Sequence, residues 1–201
     1  MFEIIAMLTM FIDHLGAAFF PEQIWFRIIG RIAMPLYTYG IVQGYKYTRN
    51  FKRYLGRLTL IAVVSQVFYM PLFHTYGLNV VFTFLVCLLL LKYHDQTKSK
   101  LKYLVIPLVA CGLEIGDFDY GIYALILMLI YQVNKRIIWR HNLLNIIYFF
   151  LYGWQVQLFS VLPTILIKKE KNRLLSGKAR LFYRAFYPLH LAFLLLLSKI
   201  F

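Results

Sequence analysis

The sequence predicts an all-α polytopic membrane protein, a bundle of about nine transmembrane helices with its N-terminus inside. Three observations carry that expectation. Of the 201 residues, 61% are hydrophobic and 18% aromatic, which is more apolar surface than the interior of a soluble domain of this length holds. Apolar runs recur from Ile4 to the last residue, and no connector between them is long enough to fold alone. The basic residues alternate from one connector to the next. Residues 1–201 therefore read as a single transmembrane domain.

A spanning helix needs about 20 mostly apolar residues, fewer if it is short and buried. On that measure the spans fall near 4–20, 24–43, 56–72, 78–92, 102–114, 119–133, 137–152, 154–167 and 182–200. The N-terminus lacks a basic leader and a small-residue cleavage site, so Met1 is expected to begin the mature chain. Gly30, Pro35 and Gly40 permit close packing and a kink in the second span. Cys87 and Cys111 lie inside apolar runs and read as small packing residues, not as a disulfide.

The net charge of +14 would point to nucleic acid in a soluble chain. Its distribution points elsewhere. Lys46, Arg49, Lys52, Arg53 and Arg57 fill the second connector, and Lys92, Lys98, Lys100 and Lys102 the fourth. Lys135, Arg136 and Arg140 belong to the sixth, and Lys168, Lys169, Lys171, Arg173, Lys178, Arg180 and Arg184 to the eighth. The odd connectors carry Glu22, Glu114, Asp117 and Asp119 in or beside them. By the positive-inside rule the even connectors are cytoplasmic, so no nucleic-acid partner is expected. The same parity divides residues 142–167 into two short helices turning at Gly153 and Trp154; read as one helix, they give eight spans.

Ionisable groups inside the spans mark the candidate site, because a charge in hydrocarbon costs about 2.5 kcal/mol or more on insertion scales. Asp13 and His14 stand side by side in the first span. Arg27 and Arg31, four residues apart, share one face of the second. Arg27 also suits a snorkelling role at the outer headgroups, and Arg31 a structural pairing with Asp13. Counting ~1.5 Å per residue puts His14 and Arg31 roughly 10 Å below the outer surface, in one layer. His190 follows Pro188 in the last span, which frees backbone groups of the kind that line membrane sites. Its bland alternative is a buried, hydrogen-bonded packing residue. Ser65, Gln66, Asn79, Thr83, Asp119 and Tyr120 join the layer, each of them also suited to a plain interhelical hydrogen bond. His74, His94 and His141 fall in connectors and are expected to be solvated. No metal constellation is expected, since His14 and His190 lack a third ligand at sensible spacing.

TMFIDHLGAAFF (9–20), RIIGRIAMPLYTYGIVQGYKYTRNFKRYLGRL (27–58), SQ (65–66), LNVVFTF (78–84), DYGIY (119–123) and FYRAFYPLHL (182–191) together resemble the TraX family. Its namesake acetylates the N-terminus of conjugative pilin subunits. The Asp-His pair, the Arg-x-x-Gly-Arg-x-x-x-Pro run, Thr-Arg-Asn and the Tyr-Pro-x-His end are the most specific parts. Residues 85–114 and 124–181 match only in hydropathy. The resemblance implies an acetyltransferase or acyltransferase of the cytoplasmic membrane that uses acetyl-CoA, needs no metal, and acts on a membrane-associated peptide, lipid or glycan.

On that reading Thr48, Arg49 and Asn50, with Lys46 and Lys52, hold the CoA phosphates, a role that ordinary positive-inside topology also explains. His14 or His190 removes a proton from an acceptor amine or hydroxyl. Arg31 or Asn79 stabilises the tetrahedral oxyanion. Asp13 or Asp119 orients the imidazole or the amine, and an acyl-histidine intermediate is an open route. Arg27, Tyr120 and Tyr187 complete the expected substrate and acyl-CoA contacts. The rival reading is a small transporter or channel that uses the same buried groups as a pathway. A non-catalytic scaffold ranks last, because it leaves those groups without purpose.

Overall fold

The computed structural model describes residues 2–169 and 177–200. The part of the eighth connector that holds Lys171 and Arg173 lies outside them. The described chain is helical throughout, in the order α1 Phe2–Phe19, α2 Ile24–Gly30, α3 Ala33–Tyr47, α4 Phe51–Phe73, α5 Val80–Gln96, α6 Lys102–Ile115, α7 Gly121–Val133 and α8 Ile137–Tyr152. A 3-10 turn, Gln155–Ser160, then leads into α9, Val161–Lys169, and α10 is Gly177–Leu197. α3 packs against α1, α7 and α9, while α10 packs against α4 and α1.

Helices α1 and α4 are long and apolar enough to cross a membrane. The other expected spans are shorter or less apolar, so the expectation of nine crossings rests on hydropathy and charge alternation and not on helix length. Large apolar side chains such as Leu60, Val67, Leu104, Leu108 and Phe150 are exposed on the outside of the bundle. Water would penalise that surface, and lipid would not.

The second expected span, 24–43, is two helices. Pro35 has no N–H to offer the carbonyl of Arg31. The chain tightens there, with the Ile32 amide bonding the Ile29 carbonyl at 3.2 Å, and α3 restarts at Ala33. The expected turn at Gly153 and Trp154 is present, with Gly153 at φ 66° closing α8.

Connector ends gather by charge type. At one end Tyr45 donates to Asp95 (2.6 Å), Lys46 to the Gln132 carbonyl (3.2 Å) and Lys102 to the His94 carbonyl (3.1 Å). At the other, the Leu78 amide bonds Asp117 (2.9 Å) and the Asp119 amide bonds Leu78 (2.8 Å), which clips two connectors together.

Two expectations are corrected here. His141 is fully buried, not solvated: its ring bonds Thr164 Oγ1 at 2.6 Å and the Tyr123 hydroxyl at 2.9 Å, because α8 begins at Ile137 and carries the ring inward. Cys111 is exposed on α6, whereas Cys87 is buried.

Candidate active site

Adjacent residues on a helix point about 100° apart, and Asp13 and His14 use that divergence to serve two partners. Asp13 turns to α2. Its Oδ1 lies 2.9 Å from Arg27 Nη1 and 3.2 Å from Arg31 Nη2. Gly30 makes the approach possible, since a Cβ there would collide with the Asp13 carboxylate. The Arg-x-x-Gly-Arg spacing therefore places two guanidiniums around one carboxylate against bare backbone. Arg31 Nη1 also donates to Gln157 Oε1 at 3.1 Å, and its guanidinium carbon lies 5.6 Å from the Tyr120 ring centre. Arg31 is buried, while the Arg27 side chain remains 37% exposed. Glu22 and Asp119 line the same cavity as these side chains, so the two guanidiniums share it with three carboxyl groups.

His14 turns to α10, where its Nδ1 lies 2.7 Å from His190 Nε2. The rings are near parallel, with centres 4.9 Å apart. Proton positions follow from the far side of the pair. His190 Nδ1 lies 2.9 Å from the Phe186 carbonyl, which can only accept, so that nitrogen carries a proton. In the neutral ring Nε2 is then an acceptor, and His14 Nδ1–H must donate to it. The lone pair left over is on His14 Nε2. A base oriented by a second hydrogen-bonded group is the arrangement that proton abstraction needs.

A cavity of about 870 Å³ is lined by Asp13, His14, Arg27, Arg31, Asp119, Tyr120 and Gln157, with Tyr69, Phe73 and Trp154. All of these come from the end of the bundle that holds the acidic connectors. Thr83 Oγ1 donates to the Asp119 carbonyl at 2.7 Å and holds that connector in place. Burial pushes the Asp119 carboxyl up to about 6, with the Arg31 guanidinium opposing the rise. Tyr187 is buried behind the imidazoles, its ring centre 6.2 Å from that of His14, and its hydroxyl has no hydrogen-bond partner.

Of the residues expected at the site, Asp13, His14, Arg27, Arg31, Asp119 and Tyr120 line the cavity, and His190 and Tyr187 stand directly behind His14. Asn79 does not reach it. Its Oδ1 accepts from the Val81 amide (3.0 Å) and its Nδ2 donates to the Ala62 carbonyl (2.9 Å) and Gln66 Oε1 (2.7 Å), so its polar atoms are committed to capping α5 and tying it to α4. Thr48, Arg49 and Asn50 lie at the opposite end of the bundle, where Asn50 caps α4 through the Arg53 amide. His190, not Asp13 or Asp119, is what bonds the His14 ring. Gln157 escaped the sequence reading; its one signal is a polar amide inside an otherwise apolar hairpin.

The TraX family model (TraX protein) matches residues 1–198. This chain belongs to the TraX family. A TraX-family relationship of this extent covers both the first-helix pair and the terminal Tyr-Pro-x-His that the fold brings together. Among curated proteins, the chain is 28% identical to the probable fimbrial assembly protein FimC, serogroup H1, of Dichelobacter nodosus, across 96% of this chain and 92% of that one. It is also 36% identical to an uncharacterized protein of Rickettsia prowazekii (strain Madrid E), over 34% of this chain and 26% of the relative. No solved structure matches.

Proposed function

We propose that this protein is a multi-pass acetyltransferase of the cytoplasmic membrane, N-terminus inside, that moves an acetyl group from cytoplasmic acetyl-CoA to an amine or hydroxyl of a membrane-associated acceptor. The observation that carries the reading is the His14–His190 hydrogen bond, which leaves His14 Nε2 as the basic atom of a ring that lines a cavity together with Arg27 and Arg31. Membership of a family named for TraX, and likeness to a probable fimbrial assembly protein, favour a peptide N-terminus as the acceptor.

In this reading the acceptor nitrogen or oxygen attacks the thioester carbonyl, and His14 Nε2 takes the proton it loses. The carbonyl oxygen becomes an oxyanion beside the Arg27 guanidinium, which lines the cavity and stays partly exposed. Collapse breaks the C–S bond, and the departing sulfur takes the proton back from His14. The sum is acceptor–H plus thioester giving acylated acceptor plus thiol. Asp13 holds Arg27 in place, and His190 fixes the imidazole.

A transport reading draws on a second cavity at the opposite end of the bundle. Purified protein given labelled acetyl-CoA and membrane peptides separates the two. Label appearing on a peptide, lipid or glycan supports transfer. Absence of label with solute flux into liposomes supports transport.

A further inference from the structure

The second cavity, about 940 Å³, lies at the basic end of the bundle and is walled by the last turns of α3, the α7–α8 connector, the start of α8 and α9. Three cations line it, Lys46, Arg136 and Lys168, and its described lining contains no carboxylate. They come from three separate elements, which a merely topological excess of charge does not require. Lys46 is held in the wall by its 3.2 Å bond to the Gln132 carbonyl. Arg136 is set on left-handed backbone at φ 47°, a conformation that costs a non-glycine residue free energy. Trp139 and Tyr39 supply aromatic surface, and Asn142 an amide.

A polar stripe leads from this cavity to the first. Gln157, Ser160, Thr164 and Lys168 recur at three- and four-residue spacing along the 3-10 turn and α9, so they share one face. Gln157 bonds Arg31 at the catalytic cavity and Lys168 lines the basic one. Ser160 and Thr164 between them are fully buried and hydrogen-bonded to α7 and α8, Ser160 to Asn145 (2.9 Å) and Thr164 to Tyr131 and His141 (2.6 Å each), so the stripe is a packed wall shared by the two cavities. At ~1.5 Å per residue the stripe is roughly 16 Å long.

We propose that the basic cavity binds the phosphate-bearing nucleotide end of the acyl donor, with Lys46, Arg136 and Lys168 on the phosphates and Trp139 beside the base. The proposal rests on the acyltransferase reading for the identity of the donor. It rests on the cavity alone for the phosphate chemistry. Phosphate esters also occur on anionic lipids, and the test separates the two sources.

The full-length protein in phosphatidylcholine nanodiscs is titrated with CoA and, separately, with adenosine 3′,5′-bisphosphate, which lacks the acyl-bearing arm. Arg136→Gln and Lys168→Gln, both on exposed side chains, are each expected to weaken both probes about tenfold, the scale of one charge-assisted hydrogen bond. The double variant should weaken them about a hundredfold, while Lys100→Ala, in the α5–α6 connector, should leave them unchanged. Binding of CoA with wild-type affinity by the double variant overturns the site but leaves the acyltransferase reading standing. Loss of bisphosphate binding in the variants of a protein that transfers no acetyl group supports the site and removes that reading. Failure of wild type to bind either probe, with phosphatidylglycerol retained by wild type and lost from the double variant, assigns the cavity to lipid and overturns the proposal.

Discussion

His14 Nδ1 and His190 Nε2 lie 2.7 Å apart, joining the first and last described helices through two imidazoles. The Phe186 carbonyl on the far nitrogen of His190 sets the direction of every proton in the chain. A second ring in that position does for an imidazole what a carboxylate does in other proton-transfer sites: it fixes tautomer and orientation. His190 is thus a positioning residue, and replacing it tests the tautomer argument. His190→Gln should lower kcat by about 10- to 100-fold, with KM for the donor little changed and the pH–rate profile displaced, since general-base catalysis contributes on the order of 10²–10⁴. An unaltered pH profile would show that the ring serves packing alone.

The Asp13 carboxylate pairs with the buried Arg31 guanidinium and with the partly exposed Arg27. Removing one partner of a buried pair costs about 3–5 kcal/mol. Asp13→Ala should therefore reduce the yield of folded protein and its thermal midpoint in detergent, and Gly30→Ala should do the same by pushing the carboxylate off α2. A Gly30→Ala protein with wild-type midpoint and activity contradicts the close-approach account.

Tyr187 tests the packing behind the imidazoles. Its hydroxyl is buried without a partner, a state that costs about 1–3 kcal/mol in the absence of ligand. Tyr187→Phe should raise or preserve the thermal midpoint in detergent and leave transfer unchanged. A lowered midpoint would contradict an unpartnered hydroxyl.

Asp119 makes the protein's stability depend on pH. Burial raises its carboxyl from 3.8 to about 6, so the folded protein holds this proton more tightly than the unfolded chain does. Below about pH 4 both forms are protonated. Between there and pH 6 only the folded form keeps the proton, so stability from this group falls as pH rises through that window and levels off above it. Thermal midpoints measured across the window should decline in wild type and flatten in Asp119→Asn; parallel slopes refute the assignment.

Much of this architecture was legible because membranes impose simple rules. Apolar length and charge parity located most helices to within about five residues but missed the break between α2 and α3, while the parity argument found the turn at Gly153 that hydropathy alone would have run through. His14 and Arg31, expected from counting along their helices to lie near each other, line one cavity. What the sequence hid was azimuth. Nothing in the spacing says that Asp13 faces α2 while His14 faces α10, because that depends on which helices become neighbours. The same blindness misassigned His141, whose buried bonds to Thr164 and Tyr123 rather than solvent hold α8 to α9 and α7. Asn79 deceived for another reason: an asparagine opening an apolar run is a helix cap before it is anything else.

The central claim is that His14 Nε2 is the base of an acyl-transfer reaction. Single-turnover transfer of label from acetyl-CoA by purified His14→Ala, compared with wild type of equal thermal midpoint, tests it most directly. The account predicts at least a 10²-fold slower transfer with CoA binding intact. Transfer at the wild-type rate would contradict it.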